Sequence, residues 1–510
     1  MNAGRRHGES RRTRGTSTIT STAELPFNPE PRMLIDGKLT EASSGARYEN
    51  INPATELALG TTADADTGDL DAAIGAARRA FDETTWSSDH EFRARCLLQL
   101  HDAITREEDQ LRAELVAEAG TPIKVTYLGQ LKWPLTEALR WPAEMISQFP
   151  WERSLPDRDI KGVAHHRGVY KEPVGVVGAI VPWNYPFEIT ANKLGAALAA
   201  GNTVVLKPAP DTPWNATRIG RLIAESTDIP AGVVNIVTSS DRRIGAALVT
   251  DPRVDMISFT GSTQVGRDIM AAGAASLKRL FLELGGKSAM IVCDDADFTK
   301  VLPTSAATCI HAGQTCTSLT RLLVPRSRYQ ESVEQLAEVW RHIPRGDPND
   351  PKVLCGPLVN SAQRARVDDY VRHAEQQGAR IVVGGGPIPG FDRGYFYEPT
   401  LIADVTSEMD IARDEVFGPV LVVMPYADDD DAVRIANDTI YGLAGAVYSE
   451  STERAKSIAR RVRAGVLSVN GGMWYGADAP FGGFKSSGIG RQNGVEGFET
   501  YTETKVVAWV

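Results

Sequence analysis

The chain has 510 residues, a formal net charge of -10 at pH 7 and a sequence pI of about 5.5. This acidic balance gives no electrostatic reason to bind nucleic acid or an anionic membrane surface, so a small-molecule partner is expected. Every apolar run is interrupted well before the ~20 residues that a membrane-spanning helix needs. The length favours two or more domains, each with its own core.

The N-terminal stretch, residues 1–25, is rich in Arg, Ser, Thr and Gly and nearly empty of large apolar side chains. We interpret it as a disordered tail. It shows neither the apolar face of an organelle-targeting helix nor the apolar core of a secretory signal. The expectation is therefore a reducing, cytoplasmic location.

From Val174 onward, short apolar runs alternate with helical patterns. The runs VGVVGAIVP, NTVVLKPA, VVNIVTS and VDMISFTGS predict buried strands, and the segments between them predict helices. This alternation predicts βαβ units and a parallel, doubly wound sheet. A second α/β segment is expected from Gly286 to Pro480, before the β-rich end TETKVVAWV.

Four polar or glycine-rich motifs follow predicted strands: PWNYP (182–186), KPAP (207–210), FTGSTQVG (259–266) and LELGGKS (282–288). Ligands of doubly wound sheets bind at the carboxyl ends of the strands, so these motifs mark one candidate site. In FTGSTQVG the start of a helix suits a phosphate, although an ordinary serine N-cap explains the same letters. The dinucleotide fingerprint GxGxxG is absent here, so a dinucleotide would bind in a variant arrangement.

Cysteine is the other chemical signal, with five in the chain. Cys96, Cys293, Cys309 and Cys355 lie in apolar or turn-like patterns that predict core positions. Cys316 lies in the polar stretch HAGQTCTS, where a structural and a catalytic role both remain open. No CxxC or HExxH motif is present, so no metal site is predicted.

Taken together, these motifs resemble the NAD(P)-dependent aldehyde dehydrogenase superfamily, in its non-acylating, hydrolytic branch. The resemblance rests on LELGGKS, GQTCTS, PWNYP, FTGS, EVFGP and PFGGFKSSGIGR, and it extends over essentially the whole chain after the tail. It implies an α/β fold with two doubly wound domains and a small β-rich element. The implied division is a cofactor-binding domain (26–154 and 174–285), a catalytic domain (286–480) and an oligomerisation or bridging element (155–173 and 481–510). A homodimer or homotetramer is implied.

The resemblance also implies a mechanism. Cys316 would attack the aldehyde carbon, and the thiohemiacetal would lose hydride to NAD, with NADP as an alternative cofactor. The side-chain amide of Asn184 and the backbone N–H of Cys316 would stabilise the oxyanion. Glu283 would activate the water that hydrolyses the thioester, and Lys193 would lie beside the catalytic centre. The alternatives are a CoA-acylating semialdehyde dehydrogenase, a cysteine hydrolase using His311 or the His165/His166 pair, and a non-enzymatic binding module.

Two groups of binding residues follow from the same resemblance. The implied cofactor contacts are Ile180, Pro182, Trp183, Lys207, Pro210, Gly261, Ser262, Val265, Leu284, Glu415 and Phe417. The implied substrate-tunnel residues are Tyr185, Thr317, Tyr475 and Phe481. Their aromatic character indicates an apolar or aromatic aldehyde.

Two positions depart from the pattern of many members. Pro210 stands where a glutamate commonly binds both ribose hydroxyls and repels a 2′-phosphate, so relaxed discrimination against NADP is expected, although Asp211 is a possible substitute. Gln492 stands where some members carry a glutamate that relays protons from the general base. Glutamine cannot take a proton, so either Glu283 exchanges its proton through water or deacylation is slower.

Overall fold

The computed structural model describes residues 25–510. The predicted disordered tail therefore lies outside the described residues, apart from Leu25.

Twenty strands form four sheets within this range. The strands are β1 (Met33–Ile35), β2 (Lys38–Thr40), β3 (Arg47–Asn52), β4 (Leu57–Ala63), β5 (Glu152–Ile160), β6 (Val163–Pro173), β7 (Val176–Ile180), β8 (Thr203–Lys207), β9 (Val234–Ile236), β10 (Met256–Thr260), β11 (Arg279–Glu283), β12 (Ala289–Val292), β13 (Arg321–Pro325), β14 (Arg380–Val383), β15 (Thr400–Ala403), β16 (Val420–Tyr426), β17 (Ala444–Tyr448), β18 (Val466–Val469), β19 (Gly488–Ile489) and β20 (Thr502–Trp509).

Seventeen α-helices and four 3₁₀ helices connect these strands in the described residues. The α-helices are α1 (Thr67–Glu83), α2 (His90–Arg106), α3 (Glu108–Ala119), α4 (Ile123–Thr126), α5 (Lys132–Glu137), α6 (Arg140–Met145), α7 (Pro186–Ala199), α8 (Trp214–Ser226), α9 (Arg242–Thr250), α10 (Thr263–Gly273), α11 (Phe298–Val301), α12 (Tyr329–Arg341), α13 (Ser361–Gln376), α14 (Asp410–Arg413), α15 (Asp429–Asn437), α16 (Thr452–Ala459) and α17 (Gly494–Glu499). The 3₁₀ helices are Ala274–Ser276, Leu302–Gly313, Arg326–Arg328 and Lys485–Ser487.

The first large sheet has eight strands in the order β19-β11-β10-β7-β8-β9-β1-β2. Its five central strands, β11, β10, β7, β8 and β9, are parallel, whereas β19, β1 and β2 join antiparallel at the edges. Successive side chains of a strand point to opposite faces. Val204 and Leu206 of β8 accordingly pack into one core, and Val205 packs into the core on the other face. Helices cover both faces, as the sequence predicts.

The second large sheet has seven strands in the order β14-β15-β16-β13-β12-β17-β18. All of its pairings are parallel except that of β14 with β15. A separate core surrounds it, formed by residues between Ala289 and Val469. Two parallel α/β sheets with their own cores confirm the predicted α/β class.

A third sheet, in the order β20-β6-β5, is antiparallel and largely exposed. Its strands span 152–173 and 502–509, which differs from the 155–173 and 481–510 expected for the β-rich element. The segment between Phe481 and Tyr501 instead returns to the first sheet, where β19 pairs with β11. Gly488 permits this pairing, because its φ is +143° and a Cβ there would lie 2.0 Å from the backbone oxygen of Leu282. The remaining sheet is the hairpin of β3 and β4.

Within residues 25–510, no helix is both long enough and apolar enough to cross a membrane.

Candidate active site

Cys316 lies in the loop between the 3₁₀ helix Leu302–Gly313 and β13, and it is half-buried. The loop is held by the buried side chain of Gln314. Its Nε2 donates to the backbone oxygens of His311 (3.0 Å) and Pro357 (3.3 Å), and its Oε1 accepts from the backbone N–H of Val359 at 2.8 Å. These bonds join the loop to a distant part of the chain and anchor it two residues before Cys316.

Two cavities meet at this cysteine. The first is lined by Gly129, Trp133, Asn184, Tyr185, Glu188, Ile189, Thr260, Glu283, Leu284, Thr315, Cys316, Thr317, Met473, Trp474, Tyr475, Phe481 and Gln492. The second is lined by Pro182, Trp183, Asn184, Ile189, Thr260, Gly261, Ser262, Glu283, Leu284, Gly285, Cys316, Gln363, Arg366, Glu415 and Phe417. Six residues border both and form the shared wall: Asn184, Ile189, Thr260, Glu283, Leu284 and Cys316. Molecules in the two cavities would therefore meet at the sulfur.

Glu283 ends β11 and is 3% exposed. Among residues 25–510, neither of its carboxyl oxygens has a hydrogen-bonding partner. Burial raises its pKa well above the ordinary value, and the positive charges of Lys193 and Arg491 only partly oppose this. Glu188 adds a further upward shift to the pKa. Glu283 is thus a carboxyl group suited to exchange a proton inside the cavity.

The chain passes close to Cys316 directly after Glu283. A Cβ at Gly286 would lie 2.6 Å from the backbone oxygen of Cys316, which is too close for any side chain. The backbone N–H of Gly286 donates to Glu415 at 3.0 Å. Glycine at this position therefore brings the general-base candidate, the sulfur and the second cavity together.

The Cys316 thiol is the neutral form at rest. Burial raises the pKa of this thiol, and the negative charges of Glu283, Glu415 and Glu188 raise it further. The backbone N–H of Cys316 itself acts in the opposite direction. Since the thiolate is the nucleophile, a base has to remove the proton when the substrate arrives.

Asn184 contributes its side-chain amide to the shared wall. Its Nδ2 donates to the backbone oxygen of Gln314 at 2.9 Å, while its own backbone oxygen accepts from Gln130 Nε2 at 2.8 Å. An amide nitrogen carries two hydrogens, so one remains for a ligand at Cys316. Both anchors orient Asn184 toward the loop that carries the sulfur.

Lys193 lies outside both cavities in the interior of α7. Its Nζ donates to Ser258 Oγ at 3.0 Å and lies 4.7 Å from the centre of the Phe281 ring. Burial lowers its pKa to about 7, against the opposing effects of Glu283 and Glu188. The side chain therefore acts on Glu283 by charge rather than by contact with a ligand.

The aldehyde dehydrogenase family model matches residues 39–507 of the chain. The chain belongs to the aldehyde dehydrogenase family. It is an enzyme that oxidises aldehydes, as the motif resemblance predicts.

Relatives of this aldehyde dehydrogenase cover it almost completely. The 3-succinoylsemialdehyde-pyridine dehydrogenase of a Pseudomonas species is 40% identical over 476 residues, covering 93% of this chain and 97% of that protein. The Mycobacterium tuberculosis aldehyde dehydrogenase complexed with NAD+ is 39% identical with a TM-score of 0.89, covering 94% of this chain and 97% of that one. A mutant of aldehyde dehydrogenase C from Pseudomonas syringae, complexed with NAD+ and octanal, is 36% identical with a TM-score of 0.88, covering 94% and 96%. These likenesses confirm the predicted fold.

Seven of the eleven predicted cofactor residues of this aldehyde dehydrogenase border the second cavity. They are Pro182, Trp183, Gly261, Ser262, Leu284, Glu415 and Phe417. Ser262 is also the N-cap of α10, because its Oγ accepts from the backbone N–H of Val265. The rings of Trp183 and Phe417 meet edge to face, with centroids 5.4 Å apart. Four predicted residues do not border the cavity: Ile180, Lys207, Pro210 and Val265.

Three of those four end neighbouring strands of the first sheet or follow them directly. Ile180 ends β7, Lys207 ends β8, and Pro210 follows β8. Within the described residues, Lys207 Nζ donates only to the backbone oxygens of Pro208 (3.5 Å) and Ser239 (3.3 Å), and burial lowers its pKa to about 8. Val265 lies in the first turn of α10 with 44% exposure. Ile180 and Lys207 therefore lie at the same carboxyl edge of the first sheet as Glu283, outside the lining of the second cavity.

All four predicted substrate residues border the first cavity: Tyr185, Thr317, Tyr475 and Phe481. The structure adds aromatic residues that the sequence analysis missed. Trp474 stacks on Phe481 with ring centroids 5.5 Å apart, and Trp133 lies 6.1 Å from Tyr475. Nothing in the sequence joins residue 133 to residue 475, because only the fold brings α5 beside the loop before Phe481.

Glu188 is the other missed residue, and here the sequence did carry a signal. Every residue of α7 is buried, so an acid within its apolar pattern marks an unusual position. Glu188 borders the first cavity with Gln492.

The histidines give no support to a cysteine hydrolase. His311 is fully buried, its ring packs edge-on against Tyr185 at 6.0 Å, and it borders neither cavity. Burial lowers its pKa to about 4, so it is neutral. His165 and His166 lie on β6 in the third sheet. Across residues 25–510, no group of three or more His, Cys, Asp or Glu side chains is arranged to hold a metal ion.

Proposed function

We propose that this enzyme converts an apolar or aromatic aldehyde to the free carboxylic acid with NAD+, through a thiohemiacetal and a thioester on Cys316. One observation carries the proposal. Cys316 and Glu283 lie together on the shared wall of an aromatic cavity and a second cavity that contains Ser262, Arg366 and Glu415. A nucleophile that two different ligands reach, beside a carboxyl group without a protein partner, is the arrangement that this reaction needs.

The first step is attack of the Cys316 sulfur on the aldehyde carbon. The thiol proton passes to water in the cavity as the C–S bond forms. The aldehyde oxygen then carries negative charge. The free Asn184 amide hydrogen and the backbone N–H of Cys316 donate to it, which is the usual way to stabilise such an oxyanion.

The tetrahedral carbon next gives up its hydride, which NAD+ bound in the second cavity would accept. The residues present fit a dinucleotide. The α10 N-terminus offers unpaired N–H groups beside Ser262, where a phosphate is favoured. Glu415 supplies a carboxyl group in the same lining as Cys316, suited to ribose hydroxyls. Lys207 ends β8, with its Nζ on the backbone oxygens of Pro208 and Ser239. Trp183 and Phe417 supply an apolar wall.

Hydrolysis of the thioester is the last step. Glu283 takes a proton from water as the water oxygen bonds to the acyl carbon, and the C–S bond breaks with its electron pair on sulfur. The sulfur then regains a proton from water, which restores the Cys316 thiol. A transfer to coenzyme A would need no carboxyl group at this position. The buried Glu283 on the shared wall therefore supports a free acid as the product.

The choice of dinucleotide depends on the end of β8. Pro210 presents no carboxylate, and the nearby Asp211 is engaged by Asn360 Nδ2 at 2.9 Å. A carboxylate held in this way is less available to repel a 2′-phosphate. We therefore propose that the enzyme accepts NADP as well as NAD.

The first cavity supports an apolar aldehyde, since Trp133, Tyr185, Trp474, Tyr475 and Phe481 dominate its walls. Octanal in the Pseudomonas syringae complex and the pyridine-bearing substrate in the name of the Pseudomonas relative are of this kind. We propose medium-chain and aromatic aldehydes as the substrate class.

The third sheet supports a homodimer or homotetramer. Its edge strand β20 exposes Val506 and Trp509, and its hairpin exposes Ile160 and Val163. An exposed apolar edge strand is a surface for pairing with another chain. A cytoplasmic location remains a prediction from the sequence.

The test is a panel of octanal, benzaldehyde, a semialdehyde and an amino aldehyde, each assayed with NAD+ and with NADP+. We expect aldehyde-dependent NADH formation, with free acid as the product and no acyl-CoA when coenzyme A is present. Cys316→Ala is the control, and we expect it to lose the activity. Retained dehydrogenase activity in that variant, or an acyl-CoA product, would contradict the proposal.

A further inference from the structure

Glu188 is a second carboxyl group on the first cavity, and the proposed reaction does not use it. It borders the cavity together with Cys316 and Glu283, from the first turn of the fully buried helix α7. Burial of a carboxylate among apolar residues costs free energy unless partners compensate. Because burying Glu188 costs free energy and the side chain lies on the same cavity as the reacting groups, we expect it to take part in the chemistry.

The partners of Glu188 are all neutral. Its Oε1 accepts from Asn192 Nδ2 at 2.5 Å, from the Tyr475 hydroxyl at 3.3 Å and from Gln492 Nε2 at 3.5 Å. Within residues 25–510 it forms no salt bridge, and every hydrogen bond reaches Oε1. The other oxygen, Oε2, is therefore left to accept a proton.

The proposed hydrolysis creates a need for such an acceptor. Each turnover transfers one proton from water to Glu283, and Glu283 has to lose it before the next turnover. Among the described residues, the Glu283 carboxyl oxygens have no hydrogen-bonding partner to receive that proton. Glu188 is the only other carboxyl group on the wall of this first cavity.

The charges around Glu188 favour exchange near neutral pH. Burial raises its pKa to about 7, while the hydrogen bonds from Tyr475 and Asn192 and the charge of Lys193 lower it. Glu283 and Cys316 border the same cavity, and the charge of Glu188 raises the pKa of both groups. A carboxyl group with a pKa near neutrality both takes up and releases a proton readily.

We propose that Glu188 accepts the proton from Glu283 after each deacylation and releases it to solvent through the mouth of the first cavity. The mouth is bordered by Trp133 and Met473, which are 36% and 70% exposed. The proton crosses the cavity through water, and both carboxyl groups end each cycle in their starting state. This inference rests on the proposed function, since it needs a thioester that is hydrolysed.

The central experiment is pre-steady-state NADH formation by Glu188→Gln with octanal and NAD+. We expect a rapid phase of about one NADH per active subunit, because hydride transfer precedes the step that Glu188 serves. We then expect steady-state turnover to fall about tenfold or more, as is typical when a proton-transfer group is lost. The KM for octanal should not rise.

A second variant returns the carboxyl group to the same hydrogen-bonded pair. In Glu188→Gln/Gln492→Glu the carboxylate and the amide exchange places, since Gln492 Nε2 donates to Glu188 Oε1 at 3.5 Å. We expect steady-state turnover to recover to within about threefold of the wild type, given that proton-transfer losses are far larger. A purely structural role of Glu188 would give no such recovery.

The matched control is Asn192→Ala, which removes a hydrogen bond to Oε1 but keeps the carboxyl group. That bond favours the charged form, so its loss raises the Glu188 pKa. Wild-type turnover should increase as pH rises through about 7. In Asn192→Ala this increase should move to higher pH, and in Glu188→Gln it should disappear.

Three outcomes would overturn the role of Glu188 alone. They are steady-state turnover of folded Glu188→Gln within threefold of the wild type, a raised KM with unchanged kcat, and loss of the rapid phase. If Glu188→Gln fails to fold, the pH profile of Asn192→Ala decides, and an unshifted profile overturns the proposal. Two other outcomes would instead overturn the proposed function. One is that the wild-type enzyme forms no NADH when aldehyde is added, and the other is that the Cys316→Ala variant still shows the rapid phase of NADH formation.

Discussion

The two cavities that meet at Cys316 differ sharply in chemistry. The first is walled by aromatic side chains such as Trp474 and Phe481, whereas the second combines the apolar wall of Trp183 and Phe417 with glycines, a helix N-terminus, Arg366 and Glu415. The reacting groups belong to neither lining alone, because they lie on the wall that both cavities share. The enzyme thus separates recognition of two dissimilar ligands from the chemistry between them. Substitutions on the shared wall should lower the rate of the reaction. Substitutions of residues that border only one cavity should change the KM of the ligand in that cavity.

Glu283→Gln removes the general base from the shared wall and should have the largest effect on turnover. The amide keeps the size of the side chain but cannot take a proton from water. We expect steady-state turnover to fall by about 10²- to 10⁴-fold. Rapid-quench analysis should show acyl-enzyme accumulating on Cys316. Turnover with no acyl-enzyme accumulation would place the slow step before hydrolysis and contradict the assigned role.

Asn184→Ala tests the same wall at its hydrogen-bond donor. Loss of one donor to a developing oxyanion typically costs about 10²-fold or more in rate. We expect that loss in kcat/KM for the aldehyde, with little change in the KM for NAD+. Asn184→Asp is the matched control, because it keeps the shape, removes the donor and adds a repelling charge, and should be at least as slow. An aspartate variant as active as the wild type would exclude the donor role.

The fold was largely predictable from the sequence because buried parallel strands are short, apolar and separated by helices. The alternation after Val174 corresponds to β7 through β10 and to α7 through α10. The segment between Phe481 and Tyr501 was not predictable in this way. Its two-residue strand β19 has no periodicity, and its pairing with β11 depends on the close approach at Gly488.

The site residues likewise fall into those that the sequence predicts and those that only the fold brings together. The sequence analysis names Cys316, Glu283 and Asn184, and the structure places them on one wall because two of them follow or end strands of one sheet edge. Trp133 and Trp474 escape prediction because their contacts join distant parts of the chain. Glu188 was readable as an acid in a buried helix, but its contact with Gln492 spans 304 residues.

One variant in each cavity, at a residue that borders only that cavity, tests whether the two cavities bind different ligands. We expect each variant to have a moderate effect on one KM. Trp474→Ala removes the ring that stacks on Phe481, so it should raise the KM for octanal or benzaldehyde by about tenfold, the scale of 1–3 kcal/mol of apolar contact. The KM for NAD+ should change less than twofold. Phe417→Ala, on the other lining, should show the opposite pattern. Equal effects of either variant on both KM values would contradict the division into two cavities.

Pro210→Glu should have the most restricted effect, because Pro210 borders neither cavity. A carboxylate at the end of β8 would repel a 2′-phosphate, whereas Pro210 cannot and Asp211 is held by Asn360. We expect kcat/KM with NADP+ to fall about tenfold, which corresponds to ~1.4 kcal/mol, while the value with NAD+ changes less than threefold. Pro210→Gln separates charge from the loss of proline, since it alters the backbone in the same way without adding a charge, and it should leave the NADP+ value within threefold. The prediction requires measurable NADP+ activity in the wild type. If the wild-type enzyme instead prefers NAD+ by several hundredfold, Asp211 already repels the 2′-phosphate in place of the glutamate that Pro210 replaces. Because Pro210 lies on the dinucleotide side alone, neither substitution should alter the relative rates with octanal and benzaldehyde.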